Sequence, residues 1–225
     1  MIQFTVCIPI FNEEESVERI VRNLATDSFF LGASQKQVLI GLNGCTDRSE
    51  EISQALAREF SWLKVIRLAQ KGKNRSWRSL VQHVTLPGPI FFFDADITIP
   101  QNTMLELFNK LTQSPSLVIV GAFPMPLAQS QHSRSLHQQL FVKWFYHFSN
   151  IHRRPYYGLC GRGYIIDQDH ARKVIFPQDE RIADDQFLEL TFKGQFEILV
   201  DSPVFYEPPN LKDTARQNAR VLLSH

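Results

Sequence analysis

The sequence switches repeatedly between two periods, and that switching limits the folds open to it. Short apolar runs rich in strand formers occupy residues 4–10, 37–42, 63–68 and 89–93, and each gives way to a segment whose apolar residues fall at helical spacing. After the first run come Val17, Ile20, Val21 and Leu24; after the third, Trp77, Leu80, Val81 and Val84; after the fourth, Met104, Leu107, Phe108 and Leu111. Each set reads i, i+3, i+4, i+7, which draws one apolar stripe down a helix for a sheet to cover. Helical crossovers make successive strands parallel, and the unbroken IFFF of 90–93 suits a strand buried on both faces. The expectation is an α/β fold: a Rossmann-like, doubly wound, mostly parallel sheet flanked by helices.

Ligands of such sheets bind outside the carboxyl ends of the strands. Those ends read PIFNEEES, NGCTDRS, AQKGKNRS and DADITIP, so four polar or charged loops converge on one edge. A functional cleft is expected there. The 225 residues carry 24 Lys+Arg against 23 Asp+Glu, a formal net charge of +1, so no whole-chain field is available for a polyphosphate backbone and a nucleic-acid partner is disfavoured. Cys7, Cys45 and Cys160 form no CxxC pair, which argues against a disulfide framework or zinc site and fits a reducing, cytoplasmic setting. The opening MIQFTVCIPIF has no basic region before it and is interrupted by Pro9, so it reads as a strand and not as a signal peptide or spanning helix.

After an apolar run at 117–121 the pattern changes. Residues 134–151 place Leu136, Leu140, Phe141, Trp144, Phe145 and Phe148 on a broad apolar helical face, followed by the basic and aromatic HRRPYYG. The stretch 134–157 is compatible either with an ordinary core-facing helix or with peripheral contact at the inner membrane face. Beyond it, GLCGRGYIID reads as loop plus strand, a helix is expected to begin near Asp184, and a last strand spans 196–200.

The DAD triplet of Asp94 and Asp96 lies where an apolar strand runs out. Paired hard oxygen donors suit Mg²⁺ or Mn²⁺, which complete their coordination with water and substrate phosphates, and so imply a diphosphate ligand.

In order along the chain, PIFNEEE (9–15), NGCTDRS (43–49), KGK (71–73), DADI (94–97), GRG (161–163) and ADDQFLELTFKGQ (183–195) resemble the inverting nucleotide-sugar glycosyltransferases of family 2, with the GT-A fold. RQNAR at 216–220 resembles that family's Q-x-x-R-W element through Gln217 and Arg220, with Val221 in place of the tryptophan. The resemblance implies one GT-A domain over 1–225, its first 125 residues binding the nucleotide-sugar and 126–225 building the acceptor side. It also implies Mn²⁺ or Mg²⁺, a UDP- or GDP-sugar donor, and a carbohydrate or lipid-linked acceptor.

Carried over by motif, Pro9, Phe11, Asn12 and Glu13 line the nucleoside, although Asn12 is equally suited to cap the first helix. Asn43 takes the position that reads the base edge, where the family usually has Asp; the amide keeps an acceptor and adds a donor. Lys73 meets a phosphate as a point charge, or is simply a solvated lysine. Asp94 reaches the ribose or a metal-bound water, and Asp96 ligates the metal. Gly161 and Gly163 close over donor sugar and acceptor, with Arg162 as an additional cation, though a tight turn alone would also use those glycines. Asp184 and Asp185 match the family's acidic pair, the second being the general base, while a helix start stabilises carboxylates without any catalysis. Two other functions compete: a nucleotidyltransferase making nucleotide-sugars, which lacks its glycine-rich, cationic phosphate loop here, and a degenerate, non-catalytic transferase module, which would have lost the metal or base position.

Overall fold

The structure is a computed structural model that describes residues 1–68, 72–127, 140, 143, 158–177 and 183–207. Eight strands form one sheet: β1 (Gln3–Ile10), β2 (Gln35–Leu42), β3 (Leu63–Arg67), β4 (Ile90–Phe93), β5 (Ile97–Thr98), β6 (Ile119–Pro126), β7 (Gly163–Ile166) and β8 (Phe196–Tyr206), in the order β3-β2-β1-β4-β7-β6-β8-β5. The described helices are α1 (Val17–Thr26), α2 (Ser28–Gly32), α3 (Ser49–Glu59), α4 (Lys73–Gln82), α5 (Thr103–Gln113), α6 (Gln168–Lys173) and α7 (Asp184–Thr191). Strands β3, β2, β1 and β4 run parallel, as the crossovers dictate. Strand β7 then enters antiparallel between β4 and β6, so the sheet is mixed beyond its first four strands.

Both faces of the sheet are covered. Alternation along β4 sends Phe91 and Phe93 into one core with Phe4, Val6 and Ile8 of β1, against α1, α2 and α5. It sends Ile90 and Phe92 into the other, with Cys7, Leu39, Trp77 and Tyr164. Val17, Ile20, Val21 and Leu24 are all fully buried, and so are Met104 and Leu107, which confirms the apolar stripes of α1 and α5. Each such side chain withdrawn from water contributes roughly 1.5–3 kcal/mol before chain entropy is charged against it. The stripe of Trp77, Leu80 and Val81 on α4 is likewise buried, and Val84 of the same stripe lies just past the helix end.

Two strands are longer than their sequence patterns. β6 starts at Ile119 rather than 117 and continues through Pro124 to Pro126, and β8 extends past Val200 to Tyr206. Prolines donate nothing to a ladder and read as strand stops. Here the register between the two strands shifts at Ala122/Phe123, and Phe123 then faces Pro203, so the irregularity accommodates the missing donors. The sequence also gave no sign of α2, α6 or the two-residue β5. Of the 134–157 segment only residues 140 and 143 are described, both exposed, and the 216–221 element lies outside the described residues.

A ladder of rings joins α4 to the middle of the sheet. Trp77 stacks on Phe92 with centroids 4.9 Å apart, Phe92 stacks on Tyr164 at 5.4 Å, and the Trp77 Nε1–H donates to the Tyr164 hydroxyl at 2.6 Å. Both hydrogen-bonding atoms are buried, so losing one partner strands the other. Trp77→Phe and Tyr164→Phe should each lower unfolding free energy by about 1–3 kcal/mol. In urea titrations the double variant should cost less than the sum of the two, because the second substitution removes an orphan rather than a bond.

Candidate active site

The carboxyl edge of the sheet is built by loops tied to one another. Asn12, with φ 56°, turns β1 out of the sheet, and its Oδ1 accepts the Thr46 N–H at 2.8 Å. That overrides its reading as a helix cap: α1 is preceded by Ser16, and no side chain caps it. Further hydrogen bonds bridge the same two loops. The Glu13 N–H donates to Ser49 Oγ at 2.7 Å, the Glu14 N–H to Asp47 Oδ2 at 3.1 Å, and the Arg48 N–H to Glu14 Oε2 at 3.0 Å. Asn43 links this pair to the next loop, accepting the Gly72 N–H on Oδ1 at 3.1 Å. Gly72 has φ 134°, a conformation that suits glycine and launches α4 with Lys73 at its first turn. Pro9 is the penultimate residue of β1, and Phe11 just past the strand is 51% exposed at the rim.

Lys73 is the centre of the charge pattern. Its Nζ lies 3.1 Å from Asp184 Oδ1 and 3.8 Å from Asp94 Oδ1. Desolvation pulls its pKa down, but Asp94, Asp184 and Asp185 together outweigh that and hold the ammonium charged above the usual lysine range. Its side chain is 49% exposed, so it is ion-paired at its tip while still facing solvent. Asp184 is only 3% exposed, and burial raises its pKa, with Lys73 acting against the rise. Asp94 is pushed up to about 6, first by burial and then by the neighbouring carboxylates, although Lys73 and Arg162 oppose the shift. Glu13 reaches about 7, chiefly by desolvation and then through Asp96 and Asp94. Four acids thus share one partly dry edge.

The second half of the chain supplies the opposite wall. A Cβ at Gly161 would lie 3.0 Å from Lys73 Nζ and 3.3 Å from Asp185 Oδ2, so this loop passes close to both side chains. The Gly161 N–H donates to Asp185 Oδ2 at 3.0 Å, and the Leu159 N–H donates to Glu189 Oε2 at 3.0 Å. Asp185 and Glu189, one turn apart on α7, therefore clamp the loop 158–161 onto that helix. Gly163 faces Phe93 and Val204, both 3.2 Å from where its Cβ would be, and so serves packing in β7. Arg162 Nη1 meets Asp96 Oδ2 at 3.0 Å, while the guanidinium lies 3.8 Å over the Tyr206 ring. Burial pushes the Cys160 thiol up to about 11, so it is no competing nucleophile. Neither Asp184 nor Asp185 caps α7, whose N-cap is Ala183 without a side-chain bond. Gln217 and Arg220 lie outside the described residues.

Sequence reasoning missed Glu189, Ser49, Asp47 and Tyr206, each of which acts through a partner distant in the chain. Only the i, i+4 spacing of Asp185 and Glu189 offered a signal.

Among the described residues no three His, Cys, Asp or Glu side chains converge as a ready cage for an ion. Two carboxylates at a strand end nevertheless fit Mg²⁺ or Mn²⁺ that retains water and phosphate ligands. Among the described residues, no helix is long and apolar enough to cross a membrane.

The family model for glycosyl transferase family 2 matches residues 5–168, well over half the chain, and the chain belongs to that family. No curated protein matches the sequence. Among solved structures, the mannosyltransferase PcManGT from Pyrobaculum calidifontis, in complex with GDP-Man and Mn²⁺, is similar with a TM-score of 0.72 at 17% identity over 96% of this chain and 60% of that one. Glucosyl-3-phosphoglycerate synthase from Mycobacterium tuberculosis, with Mn²⁺, UDP and glucosyl-3-phosphoglycerate, gives 0.64 at 16% identity over 99% of this chain and 79% of that one. S. aureus TarS 1-349 in complex with UDP-GlcNAc gives 0.64 at 16% identity over 93% and 59%. These likenesses establish the GT-A fold. The chain spans 60% of the length of the first of these relatives.

Lys73→Met should leave the Asp184 carboxylate buried and unpaired, costing on the order of 1–3 kcal/mol near neutral pH. The folded-state pKa of Asp184 would rise further above its unfolded value, so the deficit is present at high pH and vanishes once pH falls below the unfolded value and both states hold the proton. Urea unfolding at pH 4 and pH 7.5 should show it, and adding Asp184→Asn should remove most of it.

Proposed function

We propose that this protein transfers a sugar from a nucleoside-diphosphate sugar, UDP- or GDP-linked, to an acceptor hydroxyl with inversion at the anomeric carbon. One observation carries the reading: Asp94 and Asp96 of the first half and Asp185 of the second face one another across Lys73 and Gly161. Direct displacement needs a base on the acceptor side of the sugar and a stabilised leaving group on the other. Residues 1–125 hold the donor and 126–225 present the acceptor. Asp96, with Asp94, holds Mn²⁺ or Mg²⁺, which when bound neutralises the charge left on the departing diphosphate.

The chain's own groups do the rest. Lys73 stands within reach of the same diphosphate while tethered to Asp184. Of the acidic pair, Asp184 is buried against Lys73 and Asp185 is partly exposed, which supports Asp185 as the group that takes the acceptor proton. The Gly161 and Gln186 N–H groups each occupy one Asp185 oxygen, fixing its orientation while each oxygen keeps a second lone pair for the acceptor hydroxyl. Asn43 Oδ1 accepts the Gly72 N–H and keeps a second lone pair, so the amide offers both an acceptor and its hydrogens to a base edge. A carbohydrate or lipid-linked acceptor is favoured, and contact at the inner membrane face through 134–157 is part of the proposal.

The assay is consumption of UDP- or GDP-sugars with release of the nucleoside diphosphate; formation of a nucleotide-sugar and pyrophosphate from a nucleoside triphosphate and a sugar 1-phosphate would mark a nucleotidyltransferase, and no turnover with any of these substrates would mark a binding module. Asp185→Asn should lower turnover by about 10²–10⁴ with nucleotide affinity nearly unchanged. Excess EDTA should abolish turnover, and Mn²⁺ should restore it. Near-normal turnover in the Asp185→Asn variant would remove the base from Asp185.

A further inference from the structure

Arg162 is pinned to the metal-binding aspartates at two levels. Its carbonyl accepts the Asp94 N–H at 3.0 Å, and its Nη1 donates to Asp96 Oδ2 at 3.0 Å. Its side chain is 19% exposed, against 36% for Asp96, and its guanidinium lies flat enough on Tyr206 to sit 3.8 Å from the ring centroid. Tyr206 itself is 9% exposed and belongs to the main core, so the platform under the cation is rigid. The carboxylate expected to ligate a divalent ion thus already has a cation. Two cations held on one carboxylate repel each other, so a divalent ion and the guanidinium compete for Asp96.

A guanidinium over an aromatic face can turn in its own plane without losing the ring, and its planar fork matches a phosphate as well as a carboxylate. We propose that Arg162 is an exchangeable counter-ion that couples metal binding to donor binding. In the free protein it neutralises Asp96. When a divalent ion arrives with a nucleoside diphosphate, Arg162 gives up Asp96 and transfers its hydrogen bonds to the diphosphate oxygens; no covalent bond changes. This inference rests on reading the site as a nucleoside-diphosphate site. It implies that Mn²⁺ alone binds weakly, since displacing Arg162 then strands a half-buried cation, and that nucleotide and metal each raise the other's affinity.

Isothermal titration of Mn²⁺ alone, and of UDP and GDP in saturating Mn²⁺, on wild type and Arg162→Gln tests it. The variant should bind Mn²⁺ alone at least about threefold tighter, because a competing ion pair is gone. It should bind the nucleotide at least about tenfold more weakly, because a charge-assisted phosphate contact is gone. A merely structural arginine would move both affinities the same way. Unchanged or weaker Mn²⁺ binding by the variant, or unchanged nucleotide binding, overturns the inference and leaves the transferase reading standing. If wild type binds neither UDP nor GDP with Mn²⁺, both fall. Should Arg162→Gln not fold, Arg162→Lys keeps a charge on Asp96 without the planar fork; it should bind Mn²⁺ alone as wild type does and the nucleotide more weakly, and wild-type nucleotide affinity in it overturns the inference.

Discussion

The site depends on keeping like charges together in a place that is only partly wet. Glu13, Asp94, Asp96 and Asp184 meet at the carboxyl edge of the sheet, and the cations that oppose them there are Lys73 and Arg162. Left to relax, such a cluster would open toward solvent. It persists because each member is mounted on something stiff: Asp94 directly after a fully buried strand, Lys73 one turn before Trp77, Asp184 at the start of α7. The Trp77, Phe92 and Tyr164 rings fix α4 against β4 and β7, so the spacing of Lys73 from Asp94 is set by aromatic packing and not by the ion pair itself.

Strand β4 joins the halves. It pairs parallel with β1 on one side and antiparallel with β7 on the other, so the loop leaving β4 and the loop entering β7 emerge at the same edge. Antiparallel insertion of β7 is what brings Gly161 and Arg162 beside Asp94 and Asp96. A purely parallel sheet would have sent the entry to β7 to the far edge.

How much of this the sequence disclosed follows from how local each signal is. The stripes on α1, α4 and α5 and the apolar run of β4 are written in contiguous residues, and their burial follows the pattern. DAD at a strand end and the acidic pair at 184–185 were legible because a short motif carries its own context. The roles of Asn12 and Asn43 were not, since what decides them is Thr46 in one case and Gly72 in the other, each on a different loop. The late strands were underestimated because Pro124, Pro126 and Pro203 look like terminators until the register shift between β6 and β8 is known. Arg162 was visible as a cation, but its pairing with Asp96 over Tyr206 required the fold.

The account's central claim is a direct displacement at an anomeric carbon with Asp185 on the acceptor side. The most direct test uses water as acceptor and follows slow hydrolysis of an α-linked UDP- or GDP-sugar by proton NMR, before the free sugar mutarotates. The account predicts the β anomer as the first-formed sugar. A first-formed α anomer would contradict it.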